Sequence, residues 1–285
     1  MKSGRIVAVL LSVTLVAVPC GFGAAPAFDS AGDAAYDLAG GGWVAGDSGG
    51  FGFLPWVMPA GSFGTFFIFT GSAVGNGDGV DDGLTFGAPP GIPGDGDINV
   101  PSSEGPRSWG LLADPTGGAS LAEAIRPFAG PPLSPGETFT IEMDNGTALA
   151  GSAAGFGLSS AGTARFEFFA TAGGYFVMDG TGFTPAPVPF TTEGLSIAFT
   201  LVTLDTYMVS VTPYGAAPIV SPVLPLGGVS GSGIDAVRIF DFGSGPGGGP
   251  ADIFFNSMSI IPEPATATLV GLALLGALAL RRRAG

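Results

Sequence analysis

The chain has 285 residues and a formal charge of −14, with 51 glycines, 25 prolines and 23 phenylalanines. It has no histidine, and its one cysteine is Cys20, near the start; beyond that point an imidazole base, a thiol nucleophile, a disulfide and an ordinary zinc site are all excluded. Residues 28–261 hold four arginines, no lysine and 22 acidic residues, a formal charge of −18 that repels phosphate backbones and argues against nucleic-acid binding.

The first segment has the three parts of a secretory signal. Lys2 and Arg5 form a positive start, Ile6 to Val18 is a short apolar run, and Ala25-Pro26-Ala27 offers small residues for cleavage before Phe28. The expected domain limits are a signal peptide over 1–27, a folded body over 28–261 and a tail over 262–285. Signal peptidase is therefore an expected partner during export.

Dense phenylalanine and few helix-sustaining residues point the body to β-structure with glycine-rich loops. Phe63 to Thr70 reads as a strongly apolar strand, buried on both faces or against the second sheet. Asn76, Asp78, Asp81 and Asp82 stand in a glycine-rich loop and supply hard oxygens at spacings a calcium ion accepts. The plainer reading of that loop is a solvated acidic turn. Calcium is the one cofactor the sequence suggests. A second cluster, Asp95 to Asn99, lacks the glycine and the closing acid of an EF-hand.

Leu121 to Arg126 could form one helical turn, stopped by Pro127. Phe139 to Met143, Phe166 to Ala170, Tyr175 to Met178, Ile197 to Leu201 and Tyr207 to Val211 alternate as half-buried strands. Val237 to Phe242 and Ile253 to Ile261 supply the last two. Proline-rich stretches at 88–93, 131–135 and 185–189 read as crossings between sheets, because proline is excluded from central strands. The expected fold is an all-β, antiparallel sandwich or jelly roll of concanavalin-like kind.

For chemistry there remain carboxylates, hydroxyls and aromatic faces. Trp43, Trp56 and Trp109, with Tyr36, Tyr175 and Tyr214, could stack on sugars, although aromatics in a sandwich more often fill its core. Glu142 and Glu167 would be the pair to check for a glycosidase, which needs two carboxyls across a cleft. Arg165, two residues from Glu167, suggests a salt-bridged surface instead. Gly155-Phe156-Gly157 lacks the helix and lysine of a phosphate loop. With no assigned catalytic residues, the expectation is a non-enzymatic protein.

The end of the chain is the most specific segment. Pro262-Glu263-Pro264 precedes sixteen uncharged residues, Ala265 to Leu280, and then Arg281-Arg282-Arg283. As a helix the apolar run would measure roughly 24 Å, close to one membrane crossing, with the arginines held in the cytoplasm. This triplet, span and arginine cluster resembles the PEP-CTERM sorting signal. The resemblance implies recognition of the triplet by an exosortase, a membrane-bound cysteine transpeptidase, in an exopolysaccharide-producing bacterium. It implies an inner-membrane-anchored precursor and a mature form at the cell surface or outside the cell. The expected role is an extracellular-matrix protein, and the alternative is a lectin-like module that binds exopolysaccharide.

Overall fold

Sixteen strands form among the described residues, and most begin where apolar and polar side chains start to alternate. A computed structural model describes residues 26–71, 98, 100–103, 105–146, 149–245 and 252–262. The strands are β1 (Ala27–Ser30), β2 (Thr65–Gly71), β3 (Val100–Ser102), β4 (Gly105–Asp114), β5 (Leu121–Pro127), β6 (Thr138–Asn145), β7 (Ala153–Ser160) and β8 (Thr163–Thr171). They continue as β9 (Gly174–Asp179), β10 (Gly182–Pro185), β11 (Leu195–Thr203), β12 (Thr206–Pro213), β13 (Ile219–Val220), β14 (Leu224–Pro225), β15 (Ala236–Phe242) and β16 (Ile253–Ile261).

All pairings are antiparallel and make two sheets. The larger runs β13-β12-β11-β6-β16-β4-β2, with β1 on β16, β14 on β12 and β3 on β4. The smaller runs β10-β9-β8-β7-β15-β5. This is the sandwich that the alternating strands predicted. Residues 131–135 lie between β5 and β6, and residues 185–189 run from the end of β10 toward β11, so these two proline-rich stretches cross from one sheet to the other as expected; the third, 88–93, lies outside the described residues.

The core is the inward half of each alternation. Phe139, Ile141 and Met143 of β6 and Leu195, Ile197 and Phe199 of β11 are buried on one side. Phe156 and Leu158 of β7 and Phe166 and Phe168 of β8 are buried on the other. Rings meet across the gap: Phe139 lies 6.1 Å from Phe156, and Phe166 lies 5.1 Å from Phe199 and 4.9 Å from Tyr207. Each such side chain contributes about 2–3 kcal/mol by leaving water, which stabilises a body that has no disulfide.

The chain between β1 and β2 closes one side of the sandwich. Phe51, Phe53, Val57 and Phe63 bridge to Phe28, Phe128, Ile125 and Leu121, joining β1 of one sheet to β5 of the other. Under this segment Arg126 is fully buried and pairs with Asp29 at 2.9 Å. Arg126 also donates to the carbonyls of Asp47 and Gly49, and Tyr36 donates to Asp29 at 2.6 Å. Every charge taken from water there has a partner, which is the condition for tolerating it.

Two sequence expectations are corrected and a third is narrowed. Leu121 to Arg126 is strand β5, not a helical turn, because seven in-register pairings with β15 override local preference. The strand at 65–71 takes the second of its two readings, with Phe66 and Ile68 packed on the core; among the described residues it pairs with β4 alone, and Phe67 is 57% exposed. Arg165 does not share a face with Glu167. A register shift places it as an extra residue in β8, where it is buried and pairs with Asp205 at 3.2 Å.

Candidate functional site

The outer face of the smaller sheet carries the best-formed site, and its floor is made by missing side chains. On β7 the inward residues are large, while the outward positions at 155 and 157 are glycine. Gly155 pairs with Phe169 on one side and Phe240 on the other; Gly157 pairs with Glu167 and Arg238. A Cβ at Gly155 would sit 2.1 Å from the Phe168 carbonyl oxygen, and one at Gly157 would sit 3.0 Å from Glu167 Cγ. With no side chain between them, residues of β8 and β15 reach each other across β7.

At 157 the result is a charged cluster. Arg238 Nη1 donates to Glu167 Oε1 at 3.0 Å, and Arg238 Nε donates to Glu123 Oε2. Glu123 is fixed a second time, since Oε1 accepts from the Gly61 backbone at 2.8 Å. The Arg238 guanidinium stacks on the Phe240 ring, 4.4 Å from its centroid. Burial pushes the Glu167 carboxyl above its ordinary range, against the opposing pull of Arg238. A cavity of about 200 Å³ opens over this cluster, lined by Glu123, Ile125, Gly157, Ser159, Glu167 and Arg238 among others.

At 155 the result is aromatic. Phe169 and Phe240 meet with centroids 6.2 Å apart, and Phe169 lies 5.7 Å from Phe183. Phe176 and Phe183 stack nearly parallel at 4.5 Å, and Phe183 is 58% exposed at the sheet's edge. The face therefore carries fixed hydrogen-bonding groups and, beyond the half-exposed Met178, an open ring surface, a combination that takes an extended polar ligand with one apolar side.

The residues singled out in sequence are distributed differently. Glu167 belongs to this site, but Glu142 does not: its neighbours Ile141 and Met143 point into the core, so it lies on the outer face of the other sheet. There it accepts from Asn256 and Ser257 at 3.1 Å each, and burial pushes its carboxyl up to about 7. The two glutamates therefore cannot share a cleft. Trp43, Trp56, Trp109, Tyr36 and Tyr175 are buried and form part of the core. Trp56 packs 4.9 Å from Trp43 and 5.3 Å from Trp109, leaving no face for a sugar.

Asn76, Asp78, Asp81, Asp82, Ala25, Glu263, Pro264 and Arg281 to Arg283 lie outside the described residues. Among the described residues no group of three or more acidic side chains is placed to hold a metal, and no helix is long and apolar enough to cross a membrane. Ala27 opens β1 opposite Ile260, and Pro262 follows the last residue of β16.

Glu123 and Arg238 escaped the sequence reading. Glu123 was hidden by the helical reading of its segment. Arg238 stands between two inward residues on a strand, a signal in plain view. The alternating glycines of β7 were the other mark, since glycine inside a strand indicates close approach.

Comparison with known proteins bears on the tail and the body separately. Residues 261–283 match the PEP-CTERM protein-sorting motif. The chain carries a PEP-CTERM sorting motif at this end. Such a motif marks an exported protein processed by an exosortase. No curated protein matches this PEP-CTERM chain. Its fold is similar to solved glycoside hydrolases. A xylan β-1,4-xylosidase from Bacillus halodurans is 11% identical, with a TM-score of 0.39 over 54% of this chain and 33% of that one. A β-glucanase from Mycobacterium abscessus is 14% identical, with a TM-score of 0.33 over 50% of this chain and 75% of that one. A Trypanosoma rangeli sialidase is 12% identical, with a TM-score of 0.33 over 54% and 27%. The expectation of a non-enzymatic protein is corrected on this finding, because the matched structures are enzymes. TM-scores this low carry none of their activities to the PEP-CTERM body.

Proposed function

We propose that the exported body binds carbohydrate on the outer face of its smaller sheet and thereby takes part in an exopolysaccharide matrix. The observation that carries this reading is the Glu123-Arg238-Glu167 cluster closed over Gly157, with the open Phe176-Phe183 stack on the same face beyond Met178. A pyranose has polar hydroxyls around its rim and an apolar C–H face. Carboxylate oxygens and a guanidinium suit the first, and an exposed ring suits the second. The sorting motif supports the setting, since the protein meets its ligand after export.

Polysaccharide pull-down and calorimetric titration with oligosaccharides test the proposal on the exported protein. Phe183→Ala is expected to weaken binding by about tenfold, the loss of about 1.4 kcal/mol of stacking. Arg238→Ala is expected to weaken it further, because it releases both glutamates. Unchanged affinity in both variants, at unchanged melting temperature, would remove the site from consideration. Reducing ends counted in the same samples show whether binding leads to hydrolysis. In that case Glu167, whose carboxyl holds its proton more tightly than usual, is the residue whose replacement stops turnover.

A further inference from the structure

The charge in the groove selects among glycans. Glu123, Glu167 and Arg238 are the charged side chains lining its cavity, and together they carry a formal charge of −1. Their hydrogen bonds are unevenly filled. Both oxygens of Glu123 are taken, one by the Gly61 backbone and one by Arg238, and Arg238 takes Oε1 of Glu167. Among the described residues nothing donates to Glu167 Oε2. This oxygen belongs to a side chain only 10% exposed, at the edge of a cavity of about 200 Å³, the liquid volume of about seven waters. It faces the water of that cavity as the carboxylate oxygen of the cluster left open to a donor, and a ligand's charged donor makes a stronger bond there than the neutral water it displaces.

The guanidinium between the two glutamates rules the site out for a divalent cation, which would need both carboxylates turned toward itself. Uronate or sulfated chains meet a net negative groove on a body of charge −18 and are repelled. A neutral sugar supplies hydroxyl donors but no charge. We propose that the groove prefers amino-sugar polysaccharides with free amines, the ammonium of one residue donating to Glu167 and the neighbouring ring lying on Phe183. This inference rests on the proposed carbohydrate site and specifies its ligand class.

Calorimetric titration of the exported protein at pH 6 and low salt, with glucosamine oligomers, their N-acetylated counterparts and neutral glucose oligomers, tests the preference. The free-amine oligomer is expected to bind at least about tenfold more tightly than the acetylated one, with the ratio falling in 0.5 M salt. Glu167→Gln should bring the two affinities together while binding of the neutral oligomer persists, which also shows that the variant is folded. Glu193→Gln removes one exposed negative charge ahead of β11 and should leave the ratio unchanged. Equal affinity for amino and acetylated oligomers in the native protein overturns the inference and leaves the carbohydrate site standing. So does a ratio that Glu193→Gln lowers as much as Glu167→Gln, because the attraction is then a property of the whole acidic body. Failure of every oligomer to bind removes both.

Discussion

Glu142 shows how far one carboxyl can be taken from its ordinary behaviour without a charged partner. Its proton is held up to about pH 7 by burial, with only Asn256 and Ser257 donating to it. Because the folded value lies above the unfolded one, its contribution to stability is complete below about pH 4.5 and is lost as pH rises through 7. Asp252, at about 6, and Asp241, at about 8, act in the same direction. The body is therefore expected to be more stable at pH 5 than at pH 9. Glu142→Gln should remove about 1–2 kcal/mol of that difference in denaturant titrations at the two values. A variant whose pH profile overlays the native one would contradict this reading. Arg126 represents the opposite solution, a buried charge paired with Asp29 and held through both terminal nitrogens. Asp29→Ala leaves that guanidinium without its counter-charge, and a loss of about 3–5 kcal/mol is expected in the same experiment.

At the scale of the strand, the two glycines of β7 make different predictions. Gly155→Ala forces a methyl group into the Phe168 backbone and should destabilise the protein strongly, by more than about 2 kcal/mol. Gly157→Ala meets Glu167 Cγ at 3.0 Å and the Phe166 carbonyl oxygen at 3.2 Å, a looser fit, so it should cost less stability than Gly155→Ala and weaken ligand binding by moving that carboxyl. Melting curves and titrations separate the two outcomes; equal loss of stability in both would show that the floor is structural throughout. The strands whose alternation is regular, such as β6, β11, β12 and β16, were legible in the sequence to within a residue or two. β5 was not, because Ala122, Ala124 and Glu123 suit a helix and only pairing with β15 decides the matter. β7 was not, because its outward half is empty and glycine carries no alternation. The tryptophans misled for a related reason. A sequence shows that a large ring is present, but the chain between β1 and β2 determines that Trp43 and Trp56 are covered. The site was accordingly half legible: Glu167 was noted, but its partners come from strands far apart in the chain.

At the scale of the molecule, the two ends of the body are neighbours. β1 and β16 are antiparallel, with Ala27 opposite Ile260, so the segments expected to be removed leave the same end of the same sheet. Cleavage before Phe28 keeps Phe28, Asp29 and Ser30 paired with β16, and Asp29 anchors the buried Arg126. Intact-mass spectrometry of the protein from its host is expected to show a chain beginning at Phe28 and lacking the arginine cluster. Replacing Pro262, Glu263 and Pro264 by alanine should leave the tail attached. A mass unaffected by that replacement would contradict recognition of the triplet. If both segments are removed as expected, the remaining body carries a formal charge of −18, which repels acidic polymers.

The central claim is that this body meets its ligand on the glycine-floored face of the smaller sheet. Hydrogen exchange of the exported protein, with and without fragments of the host's own exopolysaccharide, tests it most directly. The account predicts slower exchange in β7, β8, β9 and β15 around Gly157, Glu167, Phe176 and Arg238, and no change along β11 and β12. Protection confined to the larger sheet, or none at saturating fragment, would contradict it.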